Sequence, residues 1–288
     1  MSVSMYDTET RAPEAIVAAI EAAAERFETP CGDGVMVWRA WGEGPPVLLL
    51  HGSHGAWSHW IRTIPHLAAG RRVWAPDLPG NGDSAPPARL DDAGAVAEVL
   101  AEGLLRLPAS RPIDVVAFSL GSVVAGRLAA DRPELVGRLI IVGAGGLDTP
   151  TGPMSLMRLR GLDEAARREA HRHNLLQVML HAPEAVDDLA LYLQARNTPR
   201  GRLDAATLVL PDKLQLALPN VQAQIDLIWG EFDRPHFDPA VQAEAVRRTH
   251  PHTTLTVIPG VGHWAMYEDA AAFNAALSEL LDRPLRPR

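Results

Sequence analysis

Short apolar runs and longer amphipathic stretches alternate along the first half of the chain. The apolar runs predict strands at Val35–Trp41, Val47–Leu50, Arg72–Ala75 and Arg138–Val142. Helical spacing of apolar residues lies between and before them, at Pro13–Phe27, Ser58–Ala69 and Asp92–Leu107. Strands that alternate with helices favour a parallel sheet with helices on both faces. We therefore predict an α/β fold with a doubly wound, mostly parallel sheet.

This alternation stops after Gly143 and resumes near residue 221. The intervening segment is rich in Leu, Met, Arg and Ala at helical spacings and contains no clear buried strand. The later elements are a strand, a helix, a strand and a helix, at Ile225–Trp229, Asp238–Arg248, Thr253–Ile258 and Trp264–Leu281. The sequence thus predicts one core domain, residues 1–147 and 221–288, interrupted by a helical cap at residues 148–220.

The amino-acid composition argues against several classes of function, namely binding to nucleic acids and to membranes. The chain has 288 residues, 47% of them hydrophobic, and a net charge of −8, which argues against a nucleic-acid surface. No apolar run approaches the length of a membrane span, so no membrane association is expected. Cys31 is the single cysteine, which excludes an internal disulfide, and no basic segment leads into an apolar one near the N-terminus. A cytoplasmic location is expected, and the oligomeric state stays open, with a homodimer as one option.

The segment Ile113–Gly126 carries the first chemical signal. It begins as a Val-rich strand and continues as a helix, with Ala117-Phe118-Ser119-Leu120-Gly121 between the two. This is the G-x-S-x-G nucleophile elbow with Ala in place of the first Gly, a sharp turn that exposes a serine hydroxyl above the sheet edge. The alternative interpretation of Ser119 is a simple helix N-cap.

Two further residues complete a catalytic triad in the order Ser, Asp, His. Asp233 follows the strand ending at Trp229, and His263 follows the last strand, so both lie with Ser119 beyond the carboxyl ends of strands. A serine hydroxyl needs a base to take its proton, neutral histidine can do so, and a carboxylate orients the imidazole. Asp148 is an alternative acid, because it follows the strand Arg138–Val142.

With these residues in place, the chain resembles the α/β-hydrolase family along nearly all of its length. The matching segments are His51–Gly55, Asp77–Ser84, the elbow, Gly230–Asp233 and Gly262-His263. The resemblance implies that the N–H groups of Ser53 and Leu120 form the oxyanion hole. It also implies structural roles for His51 and for the Asp77–Ser84 loop.

The segments Gly262–Ala265 and Phe273-Asn274 are similar to the C–C bond hydrolases that open meta-cleavage products of aromatic compounds. In those enzymes a cap arginine binds the substrate carboxylate, which implies that role for Arg196. Two departures favour a more general esterase: Phe118 stands where those enzymes carry Asn, and Ser-His-Gly replaces a Gly-Pro-Gly element.

Phe118 and Trp264 are predicted to contact substrate. Together with Trp57 and Trp60, Trp264 either lines an acyl pocket or belongs to the core.

We expect no metal and no cofactor. His171 and His173 are two residues apart on a predicted helix and share no face with each other, and no acidic residue near them or His181 has ligand spacing.

The predicted partner is a small-molecule substrate, and the predicted reaction is hydrolysis of small or medium apolar carboxylic esters. The alternatives are C–C bond hydrolysis of diketone acids and a non-catalytic binding protein of the same fold.

Overall fold

The computed structural model describes residues 11–210 and 212–286. An eight-stranded sheet forms its centre, with the strand order β1-β2-β4-β3-β5-β6-β7-β8. The strands are β1 Glu25–Cys31, β2 Gly34–Trp41, β3 Pro46–Leu50, β4 Arg72–Pro76, β5 Ile113–Phe118, β6 Val136–Val142, β7 Gln224–Gly230 and β8 Thr254–Ile258. Strands β1, β2 and β4 pair antiparallel, and the pairs from β4 through β8 are parallel. The predicted mostly parallel α/β sheet is confirmed.

Helices cover both faces of this sheet. They are α1 Pro13–Ala22, α2 Ile64–Ala68, α3 Ala93–Arg106, α4 Leu120–Asp131, α5 Glu164–Val178, α6 Asp188–Asn197, α7 Ala205–Val209, α8 Lys213–Ala217, α9 Pro239–Arg247, α10 Ala265–Glu268 and α11 Ala270–Asp282. Alternate residues of the central strands face opposite layers, as the two-residue repeat of a strand requires. Val115 packs with α3, α4 and α9, whereas Val116 packs with α1, α2 and α11.

The N-terminal prediction was wrong in one respect. The predicted helix Pro13–Phe27 ends at Ala22, and Glu25–Cys31 is an edge strand paired with β2. Exposed charged residues at Glu25 and Glu28 disguised the strand, because edge strands bury few side chains. The two-residue turn Gly32-Asp33 between the strands is a hairpin signal that could have revealed it.

Two long predicted helices are divided. The segment predicted as helix Ser58–Ala69 contains a 3₁₀ turn at Trp57–Trp60 and then α2, whose first turn holds Pro65. The terminal helix is split into α10 and α11 at Asp269, whose side chain accepts a hydrogen bond from the Ala272 N–H and so begins a new helix. Both breaks are set by local hydrogen bonding that apolar spacing does not report.

The segment 148–220 is helical, and its described residues contain no strand. Its apolar side chains join both layers of the core: Leu208 and Leu214 pack with α3 and α4, whereas Leu175 and Leu189 pack on the opposite face. The division into a core and a separate cap stays a prediction, because this segment shares its apolar interior with the core.

Candidate active site

The predicted nucleophile lies on a strained turn between β5 and α4. Ser119 has φ +52° and ψ −121°, a backbone conformation that serine rarely adopts. Its N–H donates to the Val142 carbonyl at 2.9 Å, which ties the turn to β6. A Cβ on Gly121 would lie 2.6 Å from the His51 carbonyl oxygen, so only glycine lets α4 approach the end of β3 this closely. The strain and this close packing favour the nucleophile elbow over a simple N-cap.

The predicted oxyanion loop is oriented by His51. The Leu78 N–H donates to His51 Nε2 at 2.9 Å, so the ring proton is on Nδ1, which donates to the Gly52 carbonyl at 2.8 Å. The N–H of Gly55 also donates to this carbonyl, at 3.2 Å. Because the peptide is trans, the following Ser53 N–H points away from these two donors. His51 therefore fixes the direction of the N–H that the resemblance assigns to the oxyanion hole.

The predicted base and acid are joined directly. His263 Nδ1 lies 2.7 Å from Asp233 Oδ2, and both side chains are buried. Asp233 Oδ1 accepts from the His236 N–H at 2.9 Å. Burial opposes ionisation of Asp233, but the charge and hydrogen bond of His263 and contacts of His236 outweigh it, and the net pKa is lowered. A carboxylate at Nδ1 places the imidazole proton there and leaves Nε2 as the acceptor.

The end of β6 leaves room for this pair. Gly143 has φ +52°, and a Cβ there would lie 2.9 Å from both Asp233 Oδ2 and His263 Nδ1. The alternative acid, Asp148, lies elsewhere: its side chain is exposed and its carboxylate is 4.0 Å from Arg248. The geometry therefore favours Asp233 as the partner of His263.

Phe118, next in sequence to the predicted nucleophile, packs against the predicted base. The Phe118 ring, adjacent in sequence to Ser119, lies 4.7 Å from the His263 ring. No hydrogen bond between Ser119 Oγ and His263 Nε2 is found within the described residues. Such bonds are often long in enzymes without substrate and shorten in the reacting complex. The catalytic roles of Ser119, His263 and Asp233 remain predictions that this arrangement favours.

A second histidine lies beside the predicted base and was missed by the sequence analysis. The His236 ring is 5.4 Å from the His263 ring, nearly edge-on, and it also lies against Gly145. Burial, together with the nearby His263, lowers the pKa of His236 to about 4, although Asp233 opposes the shift. His236 is therefore neutral at neutral pH. It lies in the loop after β7, where no sequence pattern distinguishes it from a surface residue.

Two of the predicted substrate contacts, Phe118 and Trp264, lie against the same residue, His59, and the third lies elsewhere. Phe118 is 1% exposed and packs on the rings of His263 and His59. Trp264 is 1% exposed, stacks on Tyr267 and donates from Nε1 to the His59 carbonyl at 2.9 Å, as a core residue does. Trp57 and Trp60 are similarly buried.

Arg196 is the third predicted contact, and it lies on α6 at the junction with α1. Its Nη2 donates to Glu21 Oε2 at 3.2 Å. Glu21 also pairs with Arg39, which contacts Asp77. None of these described contacts joins Arg196 to the triad residues, so its predicted carboxylate-binding role gains no support from this position.

No metal site is indicated in the part of the chain that the structure describes, where no group of three or more His, Cys, Asp or Glu side chains could hold an ion. His171 is buried on α5, His173 Nε2 contacts the Ser155 carbonyl, and His181 stacks on Phe232.

Across residues 11–210 and 212–286, no helix has the length and apolar character needed to cross a membrane.

Comparison with known proteins identifies the family. A model of the alpha/beta hydrolase family matches residues 47–276. The chain belongs to this family. It is similar to the 2-hydroxy-6-oxo-6-phenylhexa-2,4-dienoate hydrolase of Burkholderia cepacia, with 28% identity over 255 residues, covering 83% of this chain and 88% of the relative. It is also similar to the 2-hydroxy-6-oxononadienedioate/2-hydroxy-6-oxononatrienedioate hydrolase of Comamonas testosteroni, with 29% identity over 257 residues and the same coverage.

Solved structures of this α/β-hydrolase fold superimpose on most of the chain. An esterase from Rhodococcus sp. ECU1013 gives a TM-score of 0.75 at 22% identity, covering 91% of this chain and 99% of that one. The meta-cleavage product hydrolase CumD from Pseudomonas fluorescens IP01 gives 0.70 at 20% identity, with coverages of 89% and 97%. The chain is thus a hydrolase of this family, similar in sequence to hydrolases of 2-hydroxy-6-oxo-dienoates and similar in fold to an esterase.

Proposed function

We propose that this α/β-hydrolase is a serine hydrolase that cleaves carboxylic esters with small or medium apolar groups. The observation that carries the proposal is the 2.7 Å contact between His263 Nδ1 and Asp233 Oδ2, next to an elbow that holds Ser119 at φ +52°. A buried carboxylate on Nδ1 prepares Nε2 to accept a proton, and the elbow presents the hydroxyl that would supply it.

The reaction follows from these positions. Ser119 Oγ attacks the ester carbonyl carbon while His263 Nε2 takes the hydroxyl proton, and the Ser53 and Leu120 N–H groups stabilise the oxyanion. Collapse of the tetrahedral intermediate expels the alcohol, which receives the proton from Nε2. Water then attacks the acyl-enzyme with the same base, which releases the carboxylic acid and restores Ser119.

The charges near the site support a neutral substrate. A dienoate substrate brings a carboxylate, which is best bound by a cation or by several N–H donors. His236, beside the base, is neutral because its pKa is lowered to about 4. Arg196 is engaged by Glu21 at 3.2 Å. An ester of an apolar acid needs neither residue to change its charge or its partner.

C–C bond hydrolysis of 2-hydroxy-6-oxo-dienoates is the second candidate. The observation that favours it is the 28–29% identity to relatives with that activity in their names. The Gly262–Ala265 similarity points the same way. This candidate requires Arg196 to leave Glu21, or another group to bind the carboxylate.

A comparison of kcat/KM for p-nitrophenyl butyrate and for 2-hydroxy-6-oxo-6-phenylhexa-2,4-dienoate separates the two. We expect the ester to be preferred. If the dienoate wins by more than about tenfold, or about 1.4 kcal/mol in transition-state binding, the second candidate is correct. Arg196→Ala would then remove the preference, whereas the control Arg200→Ala, at a neighbouring cap arginine paired with Asp83, would not.

A fluorophosphonate probe tests both candidates against a non-catalytic binding protein of the same fold. The probe should label Ser119 and should not label a Ser119→Ala variant. Failure to label the natural chain, with the fold intact, contradicts any role for Ser119 as an activated nucleophile.

A further inference from the structure

Glu268, the last residue of α10, binds three backbone N–H groups from two separate parts of the chain. Its Oε2 accepts from the Gly262 N–H at 2.7 Å. Its Oε1 accepts from the Ala182 N–H at 2.6 Å, and the His181 N–H is shared between the two oxygens at 2.9 and 3.0 Å. The bonds from Gly262 and Ala182 are short, and a bond to a charged carboxylate is stronger than one between neutral groups.

The two parts are the predicted base and the cap. Gly262 immediately precedes His263 in the loop of residues 259–264, here named the base loop. His181 and Ala182 belong to the connection between α5 and α6, and residues 179–182 are here named the cap turn. The N–H of Trp264 adds a direct bond to the Met179 carbonyl at 2.7 Å. The cap turn thus lies directly on the base loop, and Glu268 joins the two.

An ordinary surface ion pair does not account for this arrangement. The described hydrogen bonds to the Glu268 carboxylate all come from backbone N–H groups. The nearby guanidinium of Arg62 is engaged otherwise, because it bonds the Tyr267 carbonyl and Asp187, each at 2.7 Å. Without the carboxylate, the amides of Gly262, His181 and Ala182 would need new partners. The bond from the Trp264 N–H to the Met179 carbonyl would then be the remaining described hydrogen bond between the base loop and the cap turn.

We propose that Glu268 is a positioning residue that holds the base loop and the cap turn in one fixed arrangement and thereby sets the placement of His263. The proposal rests on the proposed function for the role of His263 as base. Its structural part, the coupling of the two segments, is independent of that role. A displacement of about 1 Å in a catalytic group can reduce the rate by about a hundredfold, so a loosened base loop should act mainly on kcat.

The test variant is Glu268→Gln. The amide keeps the size of the side chain but replaces one acceptor oxygen by an NH₂ group, which cannot accept from a backbone N–H. The matched control is Glu231→Gln. Glu231 also binds the base loop, through the Gly260 N–H at 2.9 Å, but its described contacts do not include the cap turn.

Amide hydrogen exchange measures the coupling without reference to activity. In Glu268→Gln, we expect exchange to accelerate by about tenfold or more both in residues 259–264 and in residues 179–182. In Glu231→Gln, only the base loop should exchange faster. Acceleration of one segment without the other in Glu268→Gln, or of neither, overturns the proposal.

Kinetics on p-nitrophenyl acetate, a substrate too small to depend on the cap, measures the placement of His263. For Glu268→Gln we expect kcat to fall about tenfold or more with KM within about twofold, and Glu268→Asp, which retains the charge, to recover part of the loss. A variant that is less stable to urea but retains kcat makes Glu268 a structural brace only and overturns the proposal. If the natural chain fails to hydrolyse the ester while exchange remains coupled, it is the proposed function that fails.

Discussion

The two halves of the candidate site are held in place by different means. The nucleophile half, Ser119 with the His51–Ser53 segment, lies on central strands. It is fixed by close backbone packing, such as the contact of Gly121 with the His51 carbonyl, together with the His51 hydrogen bonds. The base half, His263 with Asp233, lies toward the sheet edge on loops, where side-chain hydrogen bonds add to the backbone contacts. The side-chain bonds include the 2.7 Å bond to Asp233 and the bond from the Gly262 N–H to Glu268, which also binds the cap turn.

This difference predicts that the nucleophile half is rigid and that the base half can move more easily. The elements β3, β5 and α4 can move relative to one another only if the core side chains rearrange, because close-packed interiors tolerate little displacement. Hydrogen-bonded loops can open locally at lower free energy. The nucleophile half is thus tied to the core, whereas residues 179–182, in the predicted cap, contact the base half. Substitutions in the two halves should therefore differ in whether they disturb activity alone or activity together with stability.

The largest expected effect comes from the nucleophile itself. Ser119→Ala removes a hydroxyl and leaves the backbone packing intact, so turnover should fall to the background level while the free energy of unfolding stays within about 1 kcal/mol. Steady-state kinetics and urea unfolding check the two parts. Activity above a few per cent of the natural level would assign the nucleophile elsewhere.

In the base half, Asp233→Asn should lower kcat by about three to four orders of magnitude, because an amide favours the wrong imidazole tautomer. Asp148→Asn is the control, since Asp148 is exposed and lies apart from His263. It should leave kcat within about twofold. A large loss in Asp148→Asn together with a small one in Asp233→Asn would exchange the roles of the two carboxylates.

The residues of both halves were predicted from the sequence, and their catalytic roles stay predictions. The position of Ser119 follows from a local pattern, because a strand, a sharp turn and a helix occupy consecutive residues. The roles of His236 and Glu268 could not be predicted in this way. Their contacts depend on loops that meet across the fold, as when Glu268 binds His181, 87 residues away. The edge strand Glu25–Cys31 was missed for a related reason, since its pairing and not its burial defines it.

A glycine substitution tests the rigidity of the nucleophile half. In Gly121→Ala, the new Cβ would lie 2.6 Å from the His51 carbonyl oxygen and 2.8 Å from that of Leu50. Because both obstacles are backbone, we expect a loss of about 1–3 kcal/mol in the free energy of unfolding, and a lower kcat from a displaced Ser119. Urea unfolding and ester kinetics measure the two effects.

The control for that experiment is on the same helix. A Cβ on Gly126 meets only the end of the flexible Leu214 side chain, which can move aside. Gly126→Ala should therefore change stability by less than about 1 kcal/mol, with helix propensity favouring alanine. Equal losses in the two variants would show that packing of α4 on β3 does not distinguish the elbow from the rest of the helix.

The smallest expected effect is a pH dependence of stability that arises in the base half. Burial and the nearby His263 lower the pKa of His236 to about 4, against about 6.5 for an unfolded histidine. Between these values the unfolded chain binds a proton that the folded chain does not, so stability is lost as pH falls from about 6.5 to about 4. The contribution of one such group is at most about 1.4 kcal/mol per pH unit, and partial exposure of the ring reduces it.

Replacing His236 by Gln isolates this contribution, because glutamine keeps polar groups of similar reach but does not titrate. Four other histidines, whose pKa values burial also lowers, remain in the variant and contribute to its residual slope: His51, His54, His59 and His171. Asp233 titrates below the window, because its pKa is lowered from a value already below 4. Urea unfolding at several pH values between 7 and 4 should thus give a shallower decline for His236→Gln than for the natural chain. Parallel declines would mean that the pKa of His236 is not lowered in the folded state, so that the ring would become charged as the pH falls below about 6.5.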